Sequence, residues 1–169
     1  MECAGAGVKK REKEIIVTIP AGIEHGQRLR LSGEGEVGYK GSKPGDLYVA
    51  VKVRPSPEFE RAGSDILTEV PVSFYQAALG AQVEINTVDG KVMLKVSPGT
   101  QSGKVLRLAG RGVPHLHGSK KGDHLVTMRV VTPTKLTKKE KEFFKNLAEE
   151  RGESVDIDDS LWGKIKDSF

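Results

Sequence analysis

Hydrophobic residues alternate with polar ones through most of this chain, and the alternation stops only near residue 131. Ile15, Val17 and Ile19 mark one face, with Ile16 and Thr18 on the other. Arg28-Leu29-Arg30-Leu31 alternates cleanly, and Leu47, Val49, Val51 and Val53 oppose Tyr48, Ala50, Lys52 and Arg54. The same period returns in Val92-Leu94-Val96, Leu106-Leu108 and Val126-Met128-Val130. A period of two sends successive side chains to opposite faces, so each segment predicts a strand with one buried side. Such strands suit small antiparallel sheets packed as sandwiches. Asp89-Gly90, between Val83-Ile85 and Val92-Leu94, predicts a hairpin turn, because tight turns of this kind want positive φ. One short helix is predicted inside the β region, with Ser73 as N-cap, Ala77-Ala78-Leu79 in its body and Gly80 as terminator.

The period changes after Pro133. Thr137 and Glu140 have the spacing of a capping box, Phe143, Phe144, Leu147 and Ala148 form a helical stripe, and Gly152 ends it. An acidic spacer follows, and the chain closes with Leu161, Ile165 and Phe169 one helical turn apart and Trp162 beside them. A helix this short is not stable alone in water, so that segment predicts a docking partner. Between residues 54 and 65 the prolines Pro55 and Pro57 fix φ and remove ladder donors, which marks a linker. Phe59 is its expected anchor against a sheet.

The strands fall into two copies. Residues 15–53 laid over 92–130, an offset of 77, give 14 identities in 39 positions without a gap. Composition alone would give roughly two or three. Most identities are backbone punctuation, among them Gly22/Gly99, Gly26/Gly103, Gly33/Gly110 and Gly45/Gly122, with Leu29-Arg30-Leu31 matching Leu106-Arg107-Leu108 and Asp46 matching Asp123. The same loops are therefore expected twice. The second copy has strand-like sequence ahead of its aligned part, from Asp65 to Lys91, where the first has only a short polar leader. The first copy is accordingly expected to be incomplete, and less ordered or paired with another chain. The predicted fold is mostly β: two tandem small β-sandwich domains of similar topology, the first truncated, followed by C-terminal helices.

Composition narrows the function. Lys and Arg number 27 against 23 Asp and Glu, a net charge of +4, and both signs are mixed along the chain. A nucleic-acid surface concentrates its cations with aromatics between them, so no nucleic-acid partner is expected. No apolar run approaches the ~20 residues that cross a bilayer, so no membrane partner is expected either. The lone Cys3 excludes an internal disulfide framework and fits a reducing compartment, the cytoplasm or an organelle matrix or stroma.

Candidate chemistry is sparse. Gly33-Glu34-Gly35-Glu36-Val37-Gly38 spells a dinucleotide fingerprint, yet the sequence after it cannot open a helix and its glutamates would repel phosphate. It reads as a turn. His115, His117 and His124 suggest a metal, but their equivalents in the first copy are Gly38, Lys40 and Leu47, and no Cys or carboxylate lies at zinc-like spacing. They read as surface-loop histidines. Asp46 and Asp123 repeat together with their glycines, which fits local bonds to backbone amides better than catalysis. No nucleophile, base and acid stand together, so no enzyme is predicted.

These residues resemble a known family. Ile19-Pro20-Ala21-Gly22, Gly26-Gln27-Arg28-Leu29, Pro44-Gly45-Asp46-Leu47, Pro57-Glu58-Phe59-Glu60-Arg61-Ala62-Gly63, Pro98-Gly99-Thr100-Gln101 and Gly110-Arg111-Gly112-Val113-Pro114 are similar to the C-terminal client-binding region of the DnaJ family of J-domain co-chaperones. Cys3-Ala4-Gly5-Ala6-Gly7 looks like the tail of that family's zinc module. The resemblance implies residues 1–7 as a remnant of the module, 8–57 as an incomplete first C-terminal domain, 58–133 as linker and second domain, and 134–169 as helix and dimerisation tail. It implies no cofactor here, zinc being expected only in the absent cysteine-rich part. It implies unfolded client polypeptides and a DnaK-type ATPase chaperone as partners, the latter met through a J domain outside this sequence, and a homodimer. Ile15 and Val49 match positions lining the family's client groove, with Val17 and Val51 as same-face neighbours; the same side chains can equally be core. Leu161, Trp162, Ile165 and Phe169 resemble the dimerisation tail. A scaffold that only dimerises and spaces J domains is the competing expectation.

Overall fold

The computed structural model describes residues 12–38 and 42–155, so Cys3 and the segment holding Leu161, Trp162, Ile165 and Phe169 lie outside the described residues. The chain forms two compact units, Met1–Val131 and Thr132–Phe169. In the first unit the elements run β1 (Arg28–Leu31), β2 (Leu47–Ala50), β3 (Glu60–Ala62), β4 (Asp65–Ser73), α1 (Phe74–Leu79), β5 (Ala81–Thr87), β6 (Gly90–Val96), β7 (Val105–Leu108) and β8 (His124–Val131). The second unit holds α2 (Lys138–Glu150).

β1 and β2 pair antiparallel, with Leu29 opposite Val49 and Leu31 opposite Leu47. β3, β4, β8 and β7 make a four-stranded sheet in that order, and β5 with β6 a two-stranded one. Both sheets feed one core: Val72, Val126 and Met128 from the larger meet Ile85, Leu94 and Val96 from the smaller, with Ala77 of α1 beside them. Val72, Val126 and Met128 are wholly buried, and burying an apolar side chain of this size contributes about 1.5–3 kcal/mol. The sandwich predicted for the second copy is thus present.

Its pairing departs from expectation at two places. β4 and β8 run parallel over Ile66–Ser73 and His124–Val131. Between them the chain travels through α1, the β5–β6 hairpin and β7, a crossover long enough to return in the same direction. Alternation within single strands carries no record of that direction. The hairpin is also one residue off: Thr87 pairs with Gly90, so Val88 and Asp89 form the turn and Gly90 opens β6 at φ 118°. The Thr87 hydroxyl donates to the Gly90 carbonyl at 2.6 Å and fixes that register.

The repeat holds bond by bond. In the first copy Gly26 N–H donates to Val51 O at 2.9 Å and Val51 N–H to Gln27 O at 2.8 Å; in the second Gly103 donates to Met128 at 2.7 Å and Met128 to Lys104 at 2.8 Å. Gly35 N–H to Gly45 O and Gly112 N–H to Gly122 O are both 2.8 Å. Asp46 Oδ1 accepts from Gly33 N–H at 3.0 Å, and Asp123 Oδ1 from Gly110 N–H at 2.8 Å. Leu106 faces Val126 as Leu29 faces Val49.

The copies differ in what surrounds these loops. No strand forms over residues 12–20, although Ile15 and Val17 are half-buried while Ile16 and Thr18 are exposed. In the second copy the matching stretch is β6, held by β5; the counterparts of β5 are residues 4–10, outside the described residues. The alternation survives there without a described ladder to read it. Among the described residues before Arg54, Ile23 is the one fully buried apolar side chain.

Close backbone approach joins the copies. A Cβ on Gly22 would stand 2.1 Å from the Pro114 carbonyl oxygen, whereas one on its equivalent Gly99 would meet nothing. Arg61 adds a polar clamp from β3, donating through Nη1 to Ile23 O at 2.8 Å, Nη2 to Gly22 O at 2.6 Å and Nε to Gly63 O at 2.7 Å.

Both predicted capping boxes form. Ser73 and Gln76 exchange bonds at the start of α1, and Thr137 and Glu140 do so at the start of α2. Of the expected stripe on α2, Phe144 and Ala148 are sheltered while Phe143 and Leu147 are exposed.

Candidate functional site

Val49 lies in β2 opposite Leu29, and Val51 continues that ladder through its bonds to Gln27 and Gly26. Ile15 and Val17 lie in the strandless segment over residues 12–20. All four side chains are half-buried, on faces whose alternate residues, such as Ile16 and Tyr48, are exposed. The repeat supplies their environment in a finished copy. Ile15 and Val17 correspond to Val92 and Leu94, and Val49 and Val51 to Val126 and Met128. There Leu94, Val126 and Met128 are buried core and Val92 packs against it. By that correspondence the four positions match the inner face of the second copy, and each is only half-buried among the first copy's described residues.

The other motifs resolve into structure. In Gly33–Gly38 the chain makes a turn closed by Asp46 and by the Gly35–Gly45 bond, and among the described residues the next element is the strand β2. Asp123 likewise closes the Gly110 turn and sits 3.4 Å from Arg107, as Asp46 sits 2.7 Å from Arg30. Among the described residues no group of His, Cys, Asp and Glu is arranged to hold a metal ion. His115 is exposed and bonded through Nδ1 to Ser64 Oγ at 2.9 Å.

His124 is not a surface-loop residue. It opens β8, is completely buried, and holds Nε2 2.8 Å from Thr68 Oγ1. Its Nδ1 is buried and has no hydrogen-bond partner among the described residues. Burial lowers its pKa below the usual 6.5 by disfavouring the charged form. Phe59 packs against its ring, which supplies the linker anchor expected there.

A cavity of about 1100 Å3 opens where the linker passes between the copies. Val53, Pro55, Phe59, Leu67 and Val113 supply apolar wall, and Glu24, Glu58, Glu60, Arg54 and Arg61 supply charge. Sequence reasoning missed it, because its residues come from three separate stretches; the one signal was a rigid, proline-bounded segment carrying a lone aromatic.

The family described as the DnaJ C terminal domain matches residues 4–133. The chain is 48% identical over 168 residues to the Chaperone protein DnaJ of Halalkalibacterium halodurans, covering 99% of this chain and 45% of that protein. It is 49% identical over 167 residues to the Chaperone protein DnaJ of Bacillus cytotoxicus, covering 99% of this chain and 44% of that protein. The chain thus spans a little under half the length of the curated relatives it matches.

Proposed function

Since this chain belongs to the DnaJ C-terminal domain family, we propose that it is the part of a co-chaperone that holds unfolded or partly folded polypeptides for a DnaK-type ATPase and dimerises. The observation that carries the reading is near-half identity to proteins named Chaperone protein DnaJ across 99% of the chain. The physical basis is β structure with a half-covered apolar face. An extended client offers backbone bonds that tolerate any sequence, and one or two large side chains add about 1.5–3 kcal/mol each on burial. After ordering and association costs this leaves roughly micromolar affinity, weak enough for transfer. A dimer, made through Leu161, Trp162, Ile165 and Phe169, presents two sites to one client and raises its effective affinity. Catalysis has no part in this reading.

One observation favours a second reading. Ile15, Val17, Val49 and Val51 correspond to core positions of the second copy. On that ground they serve the first copy's own packing, and the chain acts as a dimerisation and spacing scaffold.

Light scattering of an aggregating, chemically unfolded protein separates the readings. With a client site at these positions, Val49→Asp and Ile15→Asp lose suppression while the dimer mass is kept. Under the scaffold reading they leave suppression as it was, and Trp162→Ala with Phe169→Ala abolishes only the dimer. A parent chain that suppresses nothing would sink the client reading outright.

A further inference from the structure

We propose that the groove between the two copies is a polypeptide-binding site in its own right, taking an extended segment whose bulky apolar side chain is flanked by lysine or arginine. This rests on the co-chaperone reading and adds a location and a preference to it. The groove is open and holds about 1100 Å3, larger than the roughly 300–1,000 Å3 of small-molecule sites. An extended chain laid along it fits that shape better than an enclosed ligand.

Its walls are set in place by their own bonds. Arg61 is tied to the carbonyls of Gly22, Ile23 and Gly63. His25 Nδ1 is bonded to Val53 O at 3.1 Å. Ser56 Oγ accepts from Glu58 N–H at 3.2 Å and Phe59 N–H at 3.3 Å, which shapes the linker wall. Phe59 in turn rests on His124. A wall already ordered spares an incoming segment that cost.

Charge selects the occupant. Glu24, Glu58 and Glu60 line the groove and are exposed. Arg54 and Arg61 line it as well, Arg61 holding its guanidinium on wall carbonyls, so carboxylates outnumber guanidiniums there by one. The chain as a whole carries net +4, so a local excess of carboxylate runs against the molecule's own balance. An acidic or phosphorylated segment would meet repulsion here. A cationic one places its charges on the rim and its apolar anchor beside Phe59, Val53 and Leu67.

Fluorescence anisotropy of the 169-residue chain tests this with a labelled peptide of leucine and phenylalanine bounded by lysines, and a second bounded by glutamates. The lysine peptide should bind more tightly, with a preference that fades as salt rises. Glu58→Lys with Glu60→Lys should weaken it by roughly fivefold or more at unchanged melting temperature. Glu142→Lys with Glu149→Lys, outside the groove, should leave it as it was. Equal affinity for the two peptides, or equal loss in both double variants, overturns the inference. So does a groove variant that changes only the dimer mass, since the occupant is then a second copy. Where aggregation is still suppressed, such a result leaves the co-chaperone reading standing; where neither peptide nor client is bound, that reading fails too.

Discussion

Phe59 meets His124 edge-on, with ring centroids 6.1 Å apart and planes inclined at 72°. One residue comes from the linker and the other from β8 at the middle of the larger sheet, so the contact fastens the linker to the second copy's interior. Among the described residues the imidazole makes one hydrogen bond, to Thr68, and its Nδ1 has no partner to take a second proton.

Acid should therefore weaken the second copy. The folded pKa lies below the ordinary 6.5, so protonation favours the unfolded chain. Stability is complete above about 6.5 and declines as pH falls below it toward the folded value. Urea midpoints measured near pH 7 and near pH 5 should differ in the parent. The difference should shrink in His124→Leu, which installs the residue the first copy carries at Leu47. A variant as acid-sensitive as the parent would absolve the imidazole.

Gly22 and Gly99 occupy the same repeat position with φ of 90° and 74°, yet alanine should not cost the same at both. Each substitution incurs about 1–2 kcal/mol for the left-handed backbone. Gly22→Ala also drives a Cβ against the Pro114 carbonyl, which adds about 1–3 kcal/mol of overpacking. Equal shifts in urea unfolding would show that the junction yields freely.

Arg61→Lys should loosen the same junction. An ammonium cannot span the three carbonyls that the guanidinium reaches. A loss of about 1.5–3 kcal/mol is expected, since bonds to charged donors are worth that much. Faster amide exchange at Gly26 and Val51, with β5 and β6 unchanged, is the pattern to look for.

The start of α2 should also respond to acid. Bonds from the Thr137 backbone and hydroxyl lower the Glu140 pKa below 4.5. That support is in full force above the unfolded value and disappears as pH falls through the lower folded value. Carbon chemical shifts at Lys138–Lys141 should report fraying at low pH. Glu140→Gln should remove the pH dependence, because the neutral amide keeps the cap without titrating.

What could be read from the chain was local. Asp46 with Gly33, and Asp123 with Gly110, were legible because a side chain and the turn it closes are near in sequence and occur twice. Ser73 and Thr137 were legible as caps for the same reason. Long-range choices were not. Nothing along β4 says that its neighbour is β8 or that the two run parallel. His124 passed for a surface residue because a polar letter at a strand's start usually is one, and only Thr68, far away in the chain, makes its burial tolerable. The inter-copy groove was invisible because Glu24, Phe59 and Val113 become neighbours only after folding.

The parallel pairing of β4 with β8 sets a kinetic order. Ile66 waits for His124, roughly 60 residues later, so the second copy has high contact order and closes slowly, on the millisecond-to-second scale. The β5–β6 hairpin needs no such wait and forms within about 1–10 μs. During synthesis at about 5–20 residues per second, β4 leaves the ribosome several seconds before the strand that flanks it. For that interval its edge stands open to mispairing.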